Sequence, residues 1–478
     1  MGYPVKVLQF GEGVFLRAFI DWMIGRMNSG GRFGGSVCVV KPRPGAFHEA
    51  FAGQGMEYTV SLKGILDGKR VESRETVECI SILANPYEDF DAYLETAAYP
   101  ELVLVVSNTT ESGIAPSPSD RAKDRPAPSF PGKLAQFLRA RYEAFGGDPS
   151  KGLIILPCEL IEDNGRALCD LVLGHAERWY ADAAFSAWLR EANTWLDSLV
   201  DRIVTGYTEA ERAAVLADSG FDDELVVVAE PYHFLALRGP DSLESVLPLR
   251  ASGFNVRWSQ DIGPYRELKV RLLNGSHTLM ALCGLPLGAV QVRDCLALPA
   301  VMKALRAYQL GETIPTMAAP RAECEAYLDS VLERFANPEL FHKLEGIASK
   351  SVSKWASRIL PTLRAASGRG ESPPVLAAFT LAALVDRYTS ESALQDEAPA
   401  IEWFASRESA FAAGSGAAMA EALSSSGPWS ASTGGRAIEV PGLAAEAARR
   451  LADIRSLGMG RAIERATEDS LESPRQNS

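Results

Sequence analysis

Three polar residues of different chemistry, Lys269, Asn274 and His277, lie within nine positions in the segment KVRLLNGSH. At roughly 100° per residue, Asn274 would lie about 140° and His277 about 80° around a helix from Lys269. All three side chains could therefore line one broad side of a helix and face a common cavity. The flanking residues are apolar and spaced as in a helix within a packed interior: Leu268, Val270, Leu272, Leu273, Leu279, Met280 and Leu282.

This combination suits the removal of a proton from a hydroxyl group. An apolar site disfavours the ammonium form of a lysine, and lowering the pKa of Lys269 from about 10.4 to about 7–8 takes roughly 4 kcal/mol. The neutral amine can then accept the proton. The amide of Asn274 can hold the same oxygen as it becomes a carbonyl, and His277 can fix the alcohol or the lysine. The alternative is structural: a histidine that caps a polar contact in a helix core.

Length and composition limit the classes of protein to which the chain can belong. Its 478 residues suffice for two domains, each with its own core. A net charge of −13 argues against a nucleic-acid binder, which would show a basic patch. The longest apolar run, Val375 to Val385, is too short to cross a bilayer. We therefore expect a small-molecule substrate, with no nucleic acid and no membrane as partner, and the oligomeric state stays open.

The seven cysteines are scattered, odd in number and form no C-x-x-C pair. This pattern indicates free thiols in a reducing compartment rather than a disulfide framework or a zinc site. The first residues lead directly into a strand and lack the layout of a signal peptide. We expect a cytoplasmic protein. We also expect no metal, because the segment around His277 offers one histidine and no paired acids.

The N-terminal residues have the pattern that opens a dinucleotide-binding unit. A buried strand, Val5–Phe10, runs into the glycine turn Gly11-Glu12-Gly13 and then into an amphipathic helix. Leu16 stands where the usual fingerprint has its third glycine. Arg17 follows one turn into the helix, where a cation could meet a pyrophosphate; the alternative is a solvated helix surface. The cofactor contacts predicted here are Phe10, Gly11, Glu12, Gly13, Val14, Phe15 and Arg17.

Two further strands end in polar residues. The strand Ser36–Val40 ends at Lys41-Pro42-Arg43, where a Rossmann unit usually places an acid for the ribose of NAD. Two cations at this point favour the 2′-phosphate of NADP. The strand Leu102–Ser107 is almost unbroken valine and leucine, which is typical of the middle of a parallel sheet. The cofactor contacts predicted at these strand ends are Lys41, Pro42, Ser107, Asn108 and Thr109.

The remaining segments complete the predicted organisation. Tyr58–Lys63 and Arg70–Ile80 alternate like an antiparallel hairpin. The loop Ala115–Pro131 holds five prolines and is predicted to overhang the cofactor crevice, with a flexible linker between domains as the alternative. The chain is predicted to be α/β, with a Rossmann-type N-terminal dinucleotide-binding domain (1–245), a mostly α-helical C-terminal substrate domain (246–466) and a polar tail (467–478).

The segment KVRLLNGSH resembles the signature of the long-chain mannitol dehydrogenase family. The resemblance extends to about Trp403, and its further motifs resemble in particular the members that act on sugar acids. These motifs are LQFGEGVFLRAFIDWMI (Leu8–Ile24), SNTTESGI (Ser107–Ile114), PCELIEDNG (Pro157–Gly165), VDRIVTGY (Val200–Tyr207), RFANP (Arg334–Pro338), and Ser353-Lys354 with Arg358-Ile-Leu-Pro361.

This resemblance implies roles for residues of the chain. Gly11 and Gly13 would hold the dinucleotide. Lys269 would be the general base, Asn274 would polarise the reacting oxygen and His277 would help to bind the substrate.

Two more positions correspond to functional residues of the family. Asp201 matches a buried acid thought to relay protons, with a salt bridge to Arg202 as the alternative. Lys354 matches a lysine that contacts the substrate. The chain departs from the mannitol-type members at Leu160, where they have asparagine, and at Gly346, where they have arginine. Both departures imply a substrate other than mannitol.

The reaction implied is an NAD-dependent interconversion of D-tagaturonate and D-altronate without a metal. Relatives on this branch also carry a cation and a proline after the second strand and yet use NAD, so the resemblance implies NAD as cofactor. The alternatives are a fructuronate/mannonate or polyol dehydrogenase and, outside enzymes, an NAD-binding sensor. A carboxylate substrate needs a cation, for which Lys354, Arg266 and Arg358 are candidates. Arg266 has a second interpretation, as a solvated residue before the helix begins.

Overall fold

The computed structural model describes residues 2–66, 68–109, 113–391, 393–412 and 416–472. The chain divides into two compact units, Met1–Ile262 and Gly263–Ser478. The strands of the first unit are β1 (Val5–Phe10), β2 (Ser36–Val40), β3 (Tyr58–Leu66), β4 (Lys69–Val77), β5 (Ile80–Ala84), β6 (Leu104–Ser107), β7 (Ile154–Pro157), β8 (Thr194–Trp195), β9 (Asp197–Asp201), β10 (Val204–Gly206), β11 (Val227–Ala229), β12 (Phe234–Arg238) and β13 (Val256–Ser259).

The helices of the first unit lie mostly between these strands. Its α-helices are α1 (Val14–Leu16), α2 (Trp22–Ser29), α3 (Ala50–Gly53), α4 (Phe90–Glu95), α5 (Phe130–Ala144), α6 (Asn164–Tyr180), α7 (Ala183–Glu191) and α8 (Glu209–Ser219). A π-helical segment, Arg17–Asp21, joins α1 to α2. Its 3₁₀ turns are Thr96–Ala98, Pro149–Lys151, Asp241–Ser245 and Arg250–Ser252.

In the described part of the first unit, six strands form a parallel sheet in the order β5-β2-β1-β6-β7-β8. Successive side chains of β1 point to opposite faces. Val7 packs into the cluster that contains Trp22 of α2, whereas Leu8 and Phe10 pack into the cluster that contains Leu134 of α5. A strand buried on both faces reads as a continuous apolar run, which explains the sequence pattern. This sheet confirms the predicted α/β class.

The strand order reverses between β1 and β6, which are neighbours in the sheet. In open α/β sheets, ligands bind beyond the carboxyl ends of strands at such a point. The residues that follow these two strands are Gly11 and Asn108. The fold therefore brings the two predicted groups of cofactor contacts to one edge of the sheet.

In the first unit, one prediction is wrong in detail and one alternative is excluded. The expected hairpin ends at Val77, because β4 pairs antiparallel with β3, while Ile80 begins β5 of the parallel sheet. The proline-rich loop is not a linker between domains. Ala127 is buried within the first unit, and its N–H donates to the side chain of Gln136 on α5 at 3.0 Å.

The predicted domain boundary after residue 245 is too early. β13 pairs with β12, which pairs antiparallel with β9, and these strands form a separate sheet in the order β13-β12-β9. Because that sheet needs Val256–Ser259, the first unit continues to Ile262. The other sheet of this unit has the order β10-β11-β3-β4.

The second unit is helical, as predicted. Its α-helices are α9 (Gly263–Leu268), α10 (Gly275–Gly284), α11 (Val292–Leu296), α12 (Pro299–Ala307), α13 (Arg321–Phe335), α14 (Leu344–Ala348), α15 (Ser351–Arg358), α16 (Leu360–Gly368), α17 (Val375–Ser390), α18 (Ala398–Ala405), α19 (Glu408–Ala412), α20 (Gly416–Ala422), α21 (Leu443–Leu457) and α22 (Met459–Glu472). Its π-helical segments are Lys269–Asn274 and Tyr308–Thr313, and its 3₁₀ turns are Leu285–Leu287, Ile314–Thr316 and Ala431–Thr433.

Helices α10 and α17 form the centre of this unit. Every residue of α10 is buried, and the apolar run of α17 lies in the same hydrophobic cluster. Within the described residues, no helix is long and apolar enough to cross a membrane. The predicted polar tail begins too early, because α22 buries Ile463 and Ala466 and continues to Glu472. Residues 473–478 of that prediction lie outside the described ranges.

Candidate active site

The segment that carries Lys269 and Asn274 is helical, but its backbone hydrogen bonds span five residues instead of the four of an α-helix. Lys269–Asn274 is a π-helical segment, and the N–H of Gly275 bonds to the carbonyl of Val270, five residues back. A helix with bonds five residues back turns by a smaller angle per residue, so Lys269 and Asn274 lie closer to the same side than the about 140° of α-helical geometry. The π-helical step therefore brings the two side chains closer together than the sequence predicted.

Asn274 and His277 each carry a buried side-chain nitrogen that lacks a partner among the described residues. Asn274 and His277 are each only 6% exposed. The Nδ2 atom of Asn274 and the Nε2 atom of His277 have no hydrogen-bond partner among the residues that the structure describes. A buried polar group without a partner costs about 1–3 kcal/mol. An oxygen-rich ligand would remove that cost by pairing with both atoms.

The surroundings of His277 keep its ring neutral. Burial is the main reason why the pKa of His277 lies well below its ordinary value of 6.5. The nearby His342, Arg358, Arg334 and Lys269 lower the same pKa further, in that order. A neutral imidazole donates from one ring nitrogen and accepts at the other. His277 is therefore able to hold a hydroxyl or a carbonyl oxygen at pH 7.

Two buried arginines contribute to this field. Arg358 donates to the hydroxyl of Thr278 at 3.4 Å, directly beside His277 in the chain. Arg334 is buried at the end of α13. Sequence reasoning named Arg358 as a substrate contact but gave Arg334 no role, although the quoted RFANP motif begins with it. Together with Lys269, these residues surround His277 with positive charge, which suits an anionic ligand.

The other two cations predicted to bind substrate have different environments. The ammonium of Lys354 donates to the carbonyl of Ile347 at 2.9 Å and lies 3.4 Å from that of Gly346. These carbonyls belong to α14, so Lys354 contacts the C-terminal half of that helix. Arg266 is half-buried and lies within α9, which begins at Gly263. The alternative interpretation of Arg266 as a residue ahead of the helix is therefore wrong.

The glycine turn of the first unit has the geometry of a dinucleotide site. Gly11 has a φ of +116°, and a Cβ at that position would lie 3.2 Å from the backbone oxygen of Asn108. Only glycine fits there without strain. At Gly13, no atom of the described residues would lie within 4 Å of a Cβ, so the backbone is open to a ligand. No side chain in the described ranges caps the helix that starts at Val14.

The remaining predicted contacts near this turn differ in accessibility. Phe10 is buried in the core beneath the turn. Val14 is exposed, and Phe15 and Pro42 are half-buried. Of these four residues, only Phe10 is excluded from a side-chain contact with a cofactor by its burial.

The side chain of Arg17 is bonded to the protein's own backbone. Its guanidinium donates to the carbonyl of Glu12 at 3.2 Å and to the carbonyl of Leu225, and it lies 5.2 Å from the centroid of the Tyr58 ring. Burial lowers the pKa of Arg17 below its ordinary value. The alternative of a solvated helix surface is therefore wrong. Arg17 fixes the backbone of the glycine turn to the segment that precedes β11.

The cations after β2 have partners inside the protein. The ammonium of Lys41 pairs with the carboxylate of Glu12. The guanidinium of Arg43 donates to the backbone carbonyl of Thr109 at 3.4 Å. Glu12 thus neutralises the cation that the sequence offered to a 2′-phosphate.

A buried carboxylate organises the residues after β6. Glu159 accepts from the hydroxyl of Ser107 at 3.0 Å, and from the N–H and hydroxyl of Thr109 at 2.8 and 2.9 Å. The amide of Asn108 donates to the carbonyl of Cys158 at 2.9 Å. Burial raises the pKa of Glu159, and the hydrogen bonds from Thr109 act in the opposite direction. Sequence reasoning missed Glu159, although it lies in the quoted PCELIEDNG motif.

Asp201 is buried at the end of β9 and lies opposite Phe234 in the antiparallel ladder. The neighbouring Arg202 donates to the carbonyl of Glu230 at 2.9 Å and lies 4.2 Å from the centroid of the Trp22 ring. These contacts assign Arg202 to the core of the first unit. The proposed relay role of Asp201 stays a prediction.

Comparison with known proteins identifies the family. A sequence model of the mannitol dehydrogenase Rossmann domain matches residues 5–249, and one of the mannitol dehydrogenase C-terminal domain matches residues 261–428. The altronate oxidoreductase of Bacillus subtilis (strain 168) is 41% identical over 403 residues, covering 84% of this chain and 83% of that protein. The chain belongs to the mannitol dehydrogenase family. As a member of this family it is an oxidoreductase, which removes the non-enzyme alternative.

A further relative and two solved structures match nearly the whole chain. The altronate oxidoreductase of Shigella flexneri is 35% identical over 472 residues, covering 96% of each chain. The structure of Pseudomonas fluorescens mannitol 2-dehydrogenase in a ternary complex with NAD and D-mannitol has a TM-score of 0.80 at 22% identity, and covers 99% of this chain and 95% of that chain. A D-sorbitol dehydrogenase gives a TM-score of 0.74 at 22% identity, covering 97% and 95%. These two structures share the fold.

Proposed function

We propose that the protein is an NAD-dependent reductase of a ketouronate that interconverts D-tagaturonate and D-altronate. The observation that carries this proposal is the buried group formed by Asn274 and His277, which has two side-chain nitrogens without partners in the described structure and cations around it. The names of relatives that are 35–41% identical over most of the chain support the same reaction.

Each polar residue of the group has a distinct task in this reaction. A bound nicotinamide would supply the hydride for the substrate carbonyl, or would take it from the alcohol. Lys269 gives the carbonyl oxygen its proton in the reduction and accepts that proton in the reverse direction. The Nδ2 atom of Asn274 donates to the same oxygen while negative charge develops on it. His277, neutral at pH 7, holds the oxygen or an adjacent hydroxyl in place.

The charge around His277 supports a substrate that carries a carboxylate. Arg334, Arg358 and Lys269 act on the pKa of His277, so all three cations lie within electrostatic reach of it. Surrounding a neutral polyol with buried cations brings no gain. A uronate, by contrast, forms charge-assisted hydrogen bonds of about 1.5–3 kcal/mol each. We therefore place the carboxylate contact at Arg358 and Arg334, with Lys354 and Arg266 as further candidates.

The glycine turn and the residues after β6 would hold the dinucleotide. Gly11 and Gly13 allow close approach of the backbone to the pyrophosphate, and Glu159 fixes the segment Ser107–Thr109. The ion pair between Glu12 and Lys41 supports NAD over NADP. The carboxylate of Glu12 would repel a 2′-phosphate, and it already pairs with the ammonium of Lys41. The seven cysteines, all free thiols in the described ranges, support a reducing compartment, and we propose the cytoplasm.

The experiment that tests this function is steady-state NADH oxidation with a panel of ketoses. The panel contains D-tagaturonate, D-fructuronate, D-tagatose and D-fructose, so that each ketouronate is compared with an uncharged ketose. We expect the highest kcat/KM with tagaturonate and little activity with the uncharged sugars. Preference for fructuronate would move the assignment to the mannonate reaction. Equal activity with fructose and tagaturonate would refute a ketouronate substrate.

A further inference from the structure

The π-helical step that brings Lys269 and Asn274 together leaves a local defect in the backbone ladder. The N–H of Gly275 bonds five residues back, to Val270, and α10 then continues with bonds four residues back. When the step shortens from five to four, one carbonyl after Val270 is passed over by the backbone N–H groups. A buried carbonyl without a donor is costly, so the π-helical step needs a donor from elsewhere.

The side chain of Gln309 supplies that donor. Its Nε2 atom lies 3.2 Å from the carbonyl oxygen of Arg271 and 3.3 Å from that of Leu272, the two carbonyls that follow Val270. It also donates to the hydroxyl of Ser276 at 2.8 Å, and that hydroxyl donates to the carbonyl of Leu272 at 2.5 Å. The hydroxyl hydrogen of Ser276 is used in the bond to the Leu272 carbonyl, so the Ser276 oxygen must accept from Gln309. The orientation of the Gln309 amide is therefore determined by its contacts.

Gln309 is placed to act on the backbone of the catalytic segment and on Ser276. It is fully buried and lies in the second π-helical segment of the unit, Tyr308–Thr313. A Cβ at Gly275 would lie 3.8 Å from its Nε2 atom, so the two segments pack closely. Within the described residues, its Nε2 atom bonds to two backbone carbonyls and to the hydroxyl of Ser276, and it bonds neither to Lys269 nor to Asn274.

We propose that Gln309 is a positioning residue for the reaction: it stabilises the π-helical step that sets Lys269 and Asn274 on one side of the helix. The inference rests on the proposed function, because it assumes that these two residues act on one substrate oxygen. Without the amide donor, the carbonyls of Arg271 and Leu272 favour a regular α-helix. That change would rotate Asn274 away from Lys269.

The test compares two substitutions of Gln309. Gln309→Met keeps the volume and removes the donor, and it should lower kcat by about ten- to hundredfold, the scale for misplaced catalytic groups. The KM for NADH should stay within about twofold, because the proposed dinucleotide contacts lie in the first unit. Gln309→Glu restores one donor only when its carboxyl is protonated. Its kcat relative to the wild type should therefore rise as the pH falls from about 8 to about 6.

Glu312→Gln is the matched control. Glu312 lies in the same π-helical segment, but its carboxylate accepts from the N–H groups of Leu376 and Ala377 at the start of α17. A loss of packing in Tyr308–Thr313 would affect both positions, whereas loss of the π-helical step would affect only Gln309. We expect Glu312→Gln to lower the thermal midpoint and to leave kcat within about twofold, since it leaves the catalytic segment untouched.

The outcomes separate this inference from the proposed function. A folded Gln309→Met enzyme with the kcat of the wild type would overturn the positioning role. If Gln309→Met does not fold, the Gln309→Glu enzyme decides, and a kcat ratio independent of pH would overturn it. Full turnover in Lys269→Ala would instead refute the proposed function. A dead Lys269→Ala enzyme beside a fully active Gln309→Met enzyme would refute only the role of Gln309.

Discussion

The two units each contain a π-helical segment with a buried polar side chain, and the two side chains differ in their partners. In Arg17–Asp21, the guanidinium of Arg17 bonds to the carbonyls of Glu12 and Leu225. In Lys269–Asn274, the Nδ2 atom of Asn274 has no partner within the described ranges. A buried group with partners stabilises the fold, and one without them lowers stability and is kept for a ligand. Partners therefore distinguish Arg17 from Asn274, whereas burial, at 8% and 6% exposure, does not.

The largest effect is expected at Lys269. Lys269→Ala should lower kcat for tagaturonate by at least about a hundredfold, because general acid–base catalysis contributes on that scale. The dissociation constant of NADH, measured by fluorescence quenching, should barely change. Lys303→Ala, an exposed lysine on α12, serves as the control and should keep full activity. Retention of most turnover in Lys269→Ala would show that the base is another group.

The comparison of the two π-helical segments predicts a large loss of stability in the first and a small change in the second. Arg17→Met should lower the free energy of unfolding by about 2–4 kcal/mol, because the carbonyls of Glu12 and Leu225 lose their donor. Asn274→Leu should lower it by less than about 1 kcal/mol, because its Nδ2 atom makes no bond to a described residue that could be lost. Asn274→Leu should nevertheless lose turnover.

Both free energies are measured by denaturant unfolding, with the exposed Arg32→Met as control. The contrast between the segments would fail if Asn274→Leu cost as much stability as Arg17→Met. It would also fail if Arg17→Met were as stable as the control.

A smaller effect is expected at the cations of the second unit. Arg358→Met should reduce kcat/KM for tagaturonate by about 10- to 150-fold, the value of one charge-assisted hydrogen bond, and should change that for tagatose much less. Lys354→Met and Arg266→Met are compared on both substrates. Lys354 already bonds to the backbone of α14, so its loss should affect charged and uncharged ketoses alike. If each of the three variants lost as much activity on tagatose as on tagaturonate, none of the three residues would contact the carboxylate.

The smallest effect is expected at the ion pair of the first unit. The wild type should prefer NADH to NADPH, and Glu12→Gln should reduce that preference by about tenfold. The reason is that Lys41, released from Glu12, becomes available to a 2′-phosphate. The measurement is kcat/KM for both cofactors at saturating tagaturonate. A wild-type enzyme that prefers NADPH would contradict the role given to this pair and restore the literal interpretation of Lys41 and Arg43.

The sequence alone determined the features that depend on local pattern. The apolar runs of β1 and β6 predicted the parallel sheet, and Gly11 and Gly13 predicted the turn after the first strand, because strand burial and glycine geometry act over a few residues. The grouping of Lys269, Asn274 and His277 was likewise visible in one segment. The resemblance of that segment predicted the family, and the comparisons confirmed it.

The tertiary structure decided which polar groups have partners. Arg17 reads as a helix cation in the sequence, and its structural role depends on a carbonyl 208 residues away, at Leu225. The π-helical step at Lys269 is likewise invisible locally, because it requires the amide of Gln309, 37 residues from Leu272. The effect of Arg334 on the pKa of His277 also depends on folding, because the two residues lie in different helices. Hydrogen-bond satisfaction is set by residues that folding brings together, so no local pattern encodes it.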